Sequence, residues 1–442
     1  MAKSKPAVTF KSRPKPLILC GLGLALGPTL MSLAMPAALA QKVAPPKASN
    51  PIPAALPFAP PAITIPLGPL GYKLPRSAPP YESSPSEELY FVDSDHILVT
   101  FRIPELLERL PDCPPNDEDR TIHAVILDLP SGKVEAAANW RLHDQLQYLW
   151  PLSGGRFLVR QHSRLMVTDA ELKLHPFLKP VSRLESVQVS RDGRYVVVET
   201  AFERHTSAAH QTLIESLKLK GVPTPKEDVR VMVVDSERRT VIAESREPQV
   251  IPMRLIRDGY VETVRRRSSR WALHYVPFGG VSRTVIEFTS KCEPQMEVLN
   301  ADALLLENCP TTGGGNGLLA LSLEGKPLWS IRPDRALAIP HLTLSPAANA
   351  VALSRIRLAN PVDMWISVIH DENIVGQQID LLDATTGKIQ LEAMASPARI
   401  YGQDYALSPD GQRLAVLKTD RVQVFEVQQP PVISTISEAE QK

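Results

Sequence analysis

Arg265, Arg266, Arg267 and Arg270 place four guanidinium groups within six residues, between Val264 and Trp271. Such a cluster attracts anions or the acidic surface of a partner; a solvated hairpin tip is the plainer reading. Met364, Trp365 and Ile366, with Val368 and Ile369 just beyond, form an unusually apolar run for a loop. The run either packs over the molecule's own surface or offers an aromatic anchor to a partner. Cys292 and Cys309 are equidistant from a hairpin turn centred between Asn300 and Ala301. Antiparallel pairing would set them opposite one another, so a disulfide is expected, contributing about 3 kcal/mol. Cys113 is then left over, as a free thiol or an intermolecular site.

Other chemistry is missing. There is no Gly-x-Ser-x-Gly, His-Glu-x-x-His, Cys-x-x-Cys or phosphate-binding loop. The Gly-rich stretch Thr311 to Gly317 is not followed by Lys-Ser/Thr, and His205 and His210 stand off the spacing that puts two ligands on one helical face. These residues name no catalytic, cofactor-binding or metal-binding group, and a binding role is expected ahead of catalysis.

The composition narrows the setting. The chain has 442 residues, 49 Lys+Arg against 48 Asp+Glu, and 43% hydrophobic residues. That excludes a wholly disordered chain and gives no nucleic-acid footprint. Lys3, Lys5, Lys11, Arg13 and Lys15 precede an apolar stretch from Leu17 to Leu33, which ends at Ala38-Leu39-Ala40. This reads as a secretory signal peptide over 1–40, cut after Ala40. The protein is then secreted or periplasmic, with no membrane span after cleavage. Twelve prolines between Gln41 and Pro80 make 41–86 an extended arm, a spacer or a docking ligand.

The remainder repeats. A tight turn between apolar strands recurs seven times, most clearly as Leu407-Ser408-Pro409-Asp410-Gly411 and Val189-Ser190-Arg191-Asp192-Gly193. Each copy is followed by a second strand–turn–strand element, best seen in Asp128-Leu129-Pro130-Ser131-Gly132-Lys133 and Asp383-Ala384-Thr385-Thr386-Gly387-Lys388. Asp-Gly and Ser-Pro supply the backbone angles of tight hairpins. Seven four-stranded meanders close into an all-β propeller over 87–427, which removes exposed sheet edges. The ring's missing last strand is expected either from the tail, 428–442, or from the arm near Ile63.

These turn motifs resemble the WD40-like and YVTN-like repeats of secreted bacterial propellers. The resemblance implies the fold and leaves the function open. The Asp383 to Lys388 element, and Asp128 to Lys133 with Trp140 beyond, bear a distant resemblance to the repeats of quinoprotein dehydrogenases. A propeller enzyme is therefore one alternative, and an accessory subunit of an envelope assembly complex is another. Arg102–Arg120, Phe202–Asp228 and Ile356–Gln377 are the long loops, all between second and third strands. They should gather on one face, which is expected to bind a protein partner.

Overall fold

The computed structural model describes residues 8–9, 60–73, 87–104, 107, 119–142, 147–179, 183–203, 227–247, 253–308, 317–361, 369–395, 398 and 403–427, with 268, 333, 340, 341, 343 and 348 excepted. It is a ring of seven four-stranded blades. Two short strands precede the first blade, β1 (Val8–Thr9) and β2 (Ile63–Pro66).

Blade 1 runs from the axis outward as β3 (Glu88–Phe91), β4 (His96–Ile103), β5 (Arg120–Asp128) and β6 (Val134–Leu142). Blade 2 follows as β7 (Leu149–Pro151), β8 (Phe157–Gln161), β9 (Arg164–Thr168) and β10 (Leu174–Pro176). Blade 3 is β11 (Arg183–Val189), β12 (Tyr195–Glu203), β13 (Glu227–Asp235) and β14 (Thr240–Glu247), with β1 parallel to its outer edge. Blade 4 comprises β15 (Met253–Ile256), β16 (Gly259–Arg267), β17 (Arg270–Pro277) and β18 (Arg283–Thr289). Blade 5 comprises β19 (Gln295–Asn300), β20 (Ala303–Asn308), β21 (Gly317–Ser322) and β22 (Pro327–Ile331). In blade 6, β23 (Leu337–Ala338) and β24 (Leu344–Ala347) share the inner edge of β25 (Ala350–Leu358), followed by β26 (Ile374–Asp383) and β27 (Ile389–Ala395). Blade 7 is β28 (Tyr405–Leu407), β29 (Arg413–Leu417) and β30 (Arg421–Glu426).

Blade 7 takes its fourth strand from the N-terminal arm: β2 pairs antiparallel with β30, Ile63 opposite Val424. Of the two candidates for the closing strand, the arm fills the position, and the tail lies outside the described residues. On the inner side, β28 packs against β3, and the Leu89 amide donates to Gln403 O at 2.7 Å.

The strands read as continuous apolar runs because both faces of every blade are covered. Successive residues point to opposite faces, so alternate ones serve different neighbours. Val196 and Val198 pack toward blade 2, while Val197 packs toward blade 4. In the same way Leu304 and Leu306 face blade 4 and Leu305 faces blade 6. Each of the seven blade interfaces holds its own apolar cluster.

The turn motifs work as side-chain clasps. Ser190 Oγ donates to Asp192 at 2.6 Å and accepts from the Tyr195 amide at 2.8 Å, with Gly193 at φ 68°. Ser408, Asp410 and Arg413 repeat the pattern at 2.6 and 2.9 Å. Asp383 accepts from the Thr385 and Thr386 amides at 3.0 and 2.7 Å, leading into Gly387 at φ 69°. Among the described residues, no helix is long and apolar enough to cross a membrane.

Candidate functional site

The two ends of the ring differ. One end carries the turns that join first to second strands and third to fourth. Neighbouring turns are tied together here. Ser94 Oγ of blade 1 donates to Asp410 of blade 7 at 2.8 Å, and Arg413 donates to Ser94 O and Asp95, both at 2.8 Å. Arg257 of blade 4 donates to Ala301 O at 2.9 Å and pairs with Asp302 of blade 5. Arg191 reaches further. From the first turn of blade 3 its guanidinium donates to Ala347 O of blade 6 at 2.5 Å. Blades 3 and 6 are three places apart in a ring of seven, so this side chain bridges the axis. Burial pulls the guanidinium below its ordinary pKa.

The opposite end carries the blade-to-blade connections and those between second and third strands. In blade 2 the latter is a two-residue turn, 162–163, and in blade 4 Arg267 pairs directly with Arg270. In blades 1, 3 and 6 they run over 104–119, 204–226 and 359–373. The third is shorter than the sequence suggests, because the buried Ile356 and Leu358 extend β25 into a small cluster with Ile369.

Near this loop end the inner parts of the blades carry buried and half-buried polar groups. First strands begin here, so Glu88, Asp404 and Glu297 stand at or near the starts of β3, β28 and β19. Arg254 of β15 donates to Glu297 at 2.8 Å, joining blades 4 and 5. Gln377 Nε2 donates to Ser354 Oγ at 2.7 Å and to Asp404 at 3.1 Å, joining blades 6 and 7. Arg355 and Asp380 form a buried pair, with Nε 2.9 Å from Oδ2, and Gln378 donates to Asp380 Oδ1 at 2.7 Å. Between blades 1 and 2, the Tyr90 hydroxyl lies 2.9 Å from Glu88 Oε2 and 3.3 Å from Leu149 O. The Thr100 and Tyr148 hydroxyls are 2.6 Å apart beside them.

Burial dominates the electrostatics here. It pushes the Glu88 carboxyl up to about 8, so this group keeps its proton at neutral pH. Glu297 is raised for the same reason, with Arg254 opposing the shift. Tyr405 is raised by burial and then by the charge of Asp404. These hydrogen bonds link blade 1 to 2, blade 4 to 5 and blade 6 to 7.

The arginine cluster stands at this same end. Arg265, Arg266 and Arg267 finish β16, and Arg270 opens β17, all four exposed. The pairing shifts register between Arg265 and Arg267. Arg265 lies over the Trp271 ring at 5.8 Å, and Arg266 is 3.1 Å from His274 Nε2. Met364, Trp365, Ile366, Cys113 and Cys309 fall outside the described residues. The hairpin between the cysteines differs from expectation. Its pairs run Gln295–Glu307 to Val298–Leu304 with a bulge before Asn300, one residue out of the expected register. Cys292 lies in the bend ahead of β19.

Sequence reasoning passed over Glu88, Asp404 and Arg191. Glu88 carried a signal, an acidic residue at the mouth of an apolar strand. Arg191 carried none, being one position of a turn motif whose side chain crosses the ring.

No protein-family model matches the chain, and no curated protein matches it. Solved structures do resemble it. The acylaminoacyl peptidase of Pyrococcus horikoshii superposes with a TM-score of 0.48 at 12% identity, covering 78% of this chain and 52% of the peptidase. The β-propeller domain of the trilobed protease from Pyrococcus furiosus gives 0.44 at 13% identity, over 77% of this chain and 97% of that domain. Dipeptidyl peptidase 4 of Porphyromonas gingivalis gives 0.35 at 9%, over 75% and 51%. The chain thus spans about half the length of these two peptidases. The likeness is one of fold.

Proposed function

We propose that this propeller is a binding module, and that its loop end docks a protein partner with an acidic surface. The observation that carries the reading is the asymmetry of the ring. The turn end is tied from blade to blade and bridged by Arg191. The loop end receives the three longest connections and the four exposed arginines. Charged side chains at an exposed rim act on association rate and salt dependence more than on contact area.

The same proposal places the protein outside the cytoplasm, as a WD40-like or YVTN-like propeller released from its signal after Ala40. The Cys292–Cys309 disulfide belongs to the same proposal. N-terminal sequencing of exported protein should begin at Gln41; a chain that retains Met1 refutes the export reading.

The binding reading is tested with residues 41–442 as bait in an envelope extract, beside a variant with Arg265, Arg266, Arg267 and Arg270 changed to Glu. A partner held at low salt, released by added salt and lost by the variant is the expected result. A partner held equally by both baits moves the site away from the arginine tip. Recovery of none removes the binding module as the protein's role.

A further inference from the structure

At the turn end of blade 1, away from the loop end, three side chains from three consecutive strands converge. His96 opens β4, Asp128 closes β5 and Glu135 is the second residue of β6. One ligand atom of each lies within 4.8 Å of the others. Sheet geometry accounts for the convergence. His96 and Asp128 are directly paired across β4 and β5, while the turn at 129–133 returns the chain so that Glu135 flanks them.

We infer that His96, Asp128 and Glu135 form a binding site for one divalent transition-metal ion, Zn2+ foremost. The imidazole is already oriented for the task. Its Nδ1 is held by Asp93 at 2.9 Å, which turns Nε2 toward Glu135, 3.2 Å away. A carboxylate on the far ring nitrogen is the usual outer-shell support of a metal-binding histidine, fixing both ring orientation and tautomer. Asp128 is also fixed, by the Ser131 amide at 3.0 Å and the Ser131 hydroxyl. One nitrogen and two carboxylate donors suit Zn2+ and its first-row neighbours better than Mg2+ or Ca2+, which prefer all-oxygen sites. With three protein ligands, the remaining positions fall to water.

Charge favours the same conclusion. Asp93, Asp128 and Glu135 surround a single imidazole, and Lys133 also acts on Asp128. A divalent ion held among them neutralises the excess negative charge. The comparable turn of blade 2 shows the contrast. There His175 meets Asp169 at 2.7 Å, and among the described residues no third donor joins them.

The test is a titration of the purified chain with Zn2+ in competition with a chromogenic chelator, repeated with Co2+ to read coordination from its visible spectrum. One saturable equivalent is expected, with Co2+ absorbing as a low-symmetry site of mixed nitrogen and oxygen donors. His96→Gln and Glu135→Gln should each abolish that equivalent while leaving the far-UV circular dichroism and melting midpoint of the metal-free protein in place. Asp93→Asn should weaken binding about 10- to 100-fold, as loss of outer-shell support does. His175→Gln should change nothing. No saturable binding by the wild type, or an equivalent that survives His96→Gln, overturns the proposal.

Discussion

Glu88 offers the sharpest test of how the ring is held near its loop end. Its carboxyl is buried, and burial pushes its pKa from 4.5 up to about 8. Between those values the folded protein keeps a proton that the unfolded chain has released. Unfolding therefore becomes easier as pH rises: this contribution is complete below about pH 4.5 and lost as pH climbs toward 8. At 1.36 kcal/mol per unit, the loss between pH 5 and pH 8 is about 4 kcal/mol. The Tyr90 hydroxyl donates to Glu88 Oε2 at 2.9 Å, which opposes the shift without overturning the larger effect of burial. Glu88→Gln keeps the volume and the donor but has no proton to lose. The assay is urea unfolding at pH 5, 6, 7 and 8, followed by tryptophan fluorescence. Glu297 and other titrating groups affect both proteins alike, so the difference between them isolates Glu88. The variant should match the wild type near pH 5 and exceed it by about 4 kcal/mol at pH 8. Stability curves that stay parallel across that window refute the reasoning.

Four further outcomes follow from packing and from a buried ion pair. Gly193 sits at φ +68°, and a Cβ there falls 2.2 Å from the Ser153 nitrogen, so Gly193→Ala should cost more than about 3 kcal/mol in a thermal melt. Gly154→Ala, at φ +72° with nothing within 4 Å, should cost only about 1 kcal/mol. Leu67→Ala should cost about 2–5 kcal/mol, whereas a residue of a mere spacer would cost nothing; chemical denaturation separates the two. Arg355→Met leaves Asp380 buried and uncompensated, at about 3–5 kcal/mol, and Arg355→Met/Asp380→Leu should recover most of that loss in the same measurement.

The seven units were legible because their signals are local. Ser190, Asp192 and Gly193 build a turn from their own hydrogen bonds, and so do Asp383, Thr386 and Gly387. No distant residue is needed to recognise either motif. The contacts that escaped reading are those made across the ring or across strands. Arg191 meets Ala347, 156 positions later. His96, Asp128 and Glu135 share no motif spacing, since their meeting depends on the register of β4, β5 and β6. The hairpin after Cys292 turns at Ala301-Asp302, one residue later than the sequence suggests, and the bulge between Val298 and Asn300 takes back only half of the two-position shift that follows.

The closing strand shows the same limit in energetic terms. Ile63 pairs with Val424, about 360 positions later, and closing so long a loop from an open chain costs about 5 kcal/mol. A four-residue strand cannot supply that alone. Within the ring the problem is different. Blade 1 already meets blade 7 through β3 and β28, so the arm has only residues 67–87 to span from β2 to β3. Ile65 and Leu67 then enter the apolar cluster shared with Val422, Val424 and Leu127, each buried side chain contributing about 1.5–3 kcal/mol. Pro66 is tolerated there because β2 is the outermost strand, where a missing amide donor breaks no ladder. The arm is thus stable on a ring that is otherwise assembled, and it locks the two ends of the chain together. A composition rich in proline marks the segment as extended. Only the vacant edge of β30 makes it a strand.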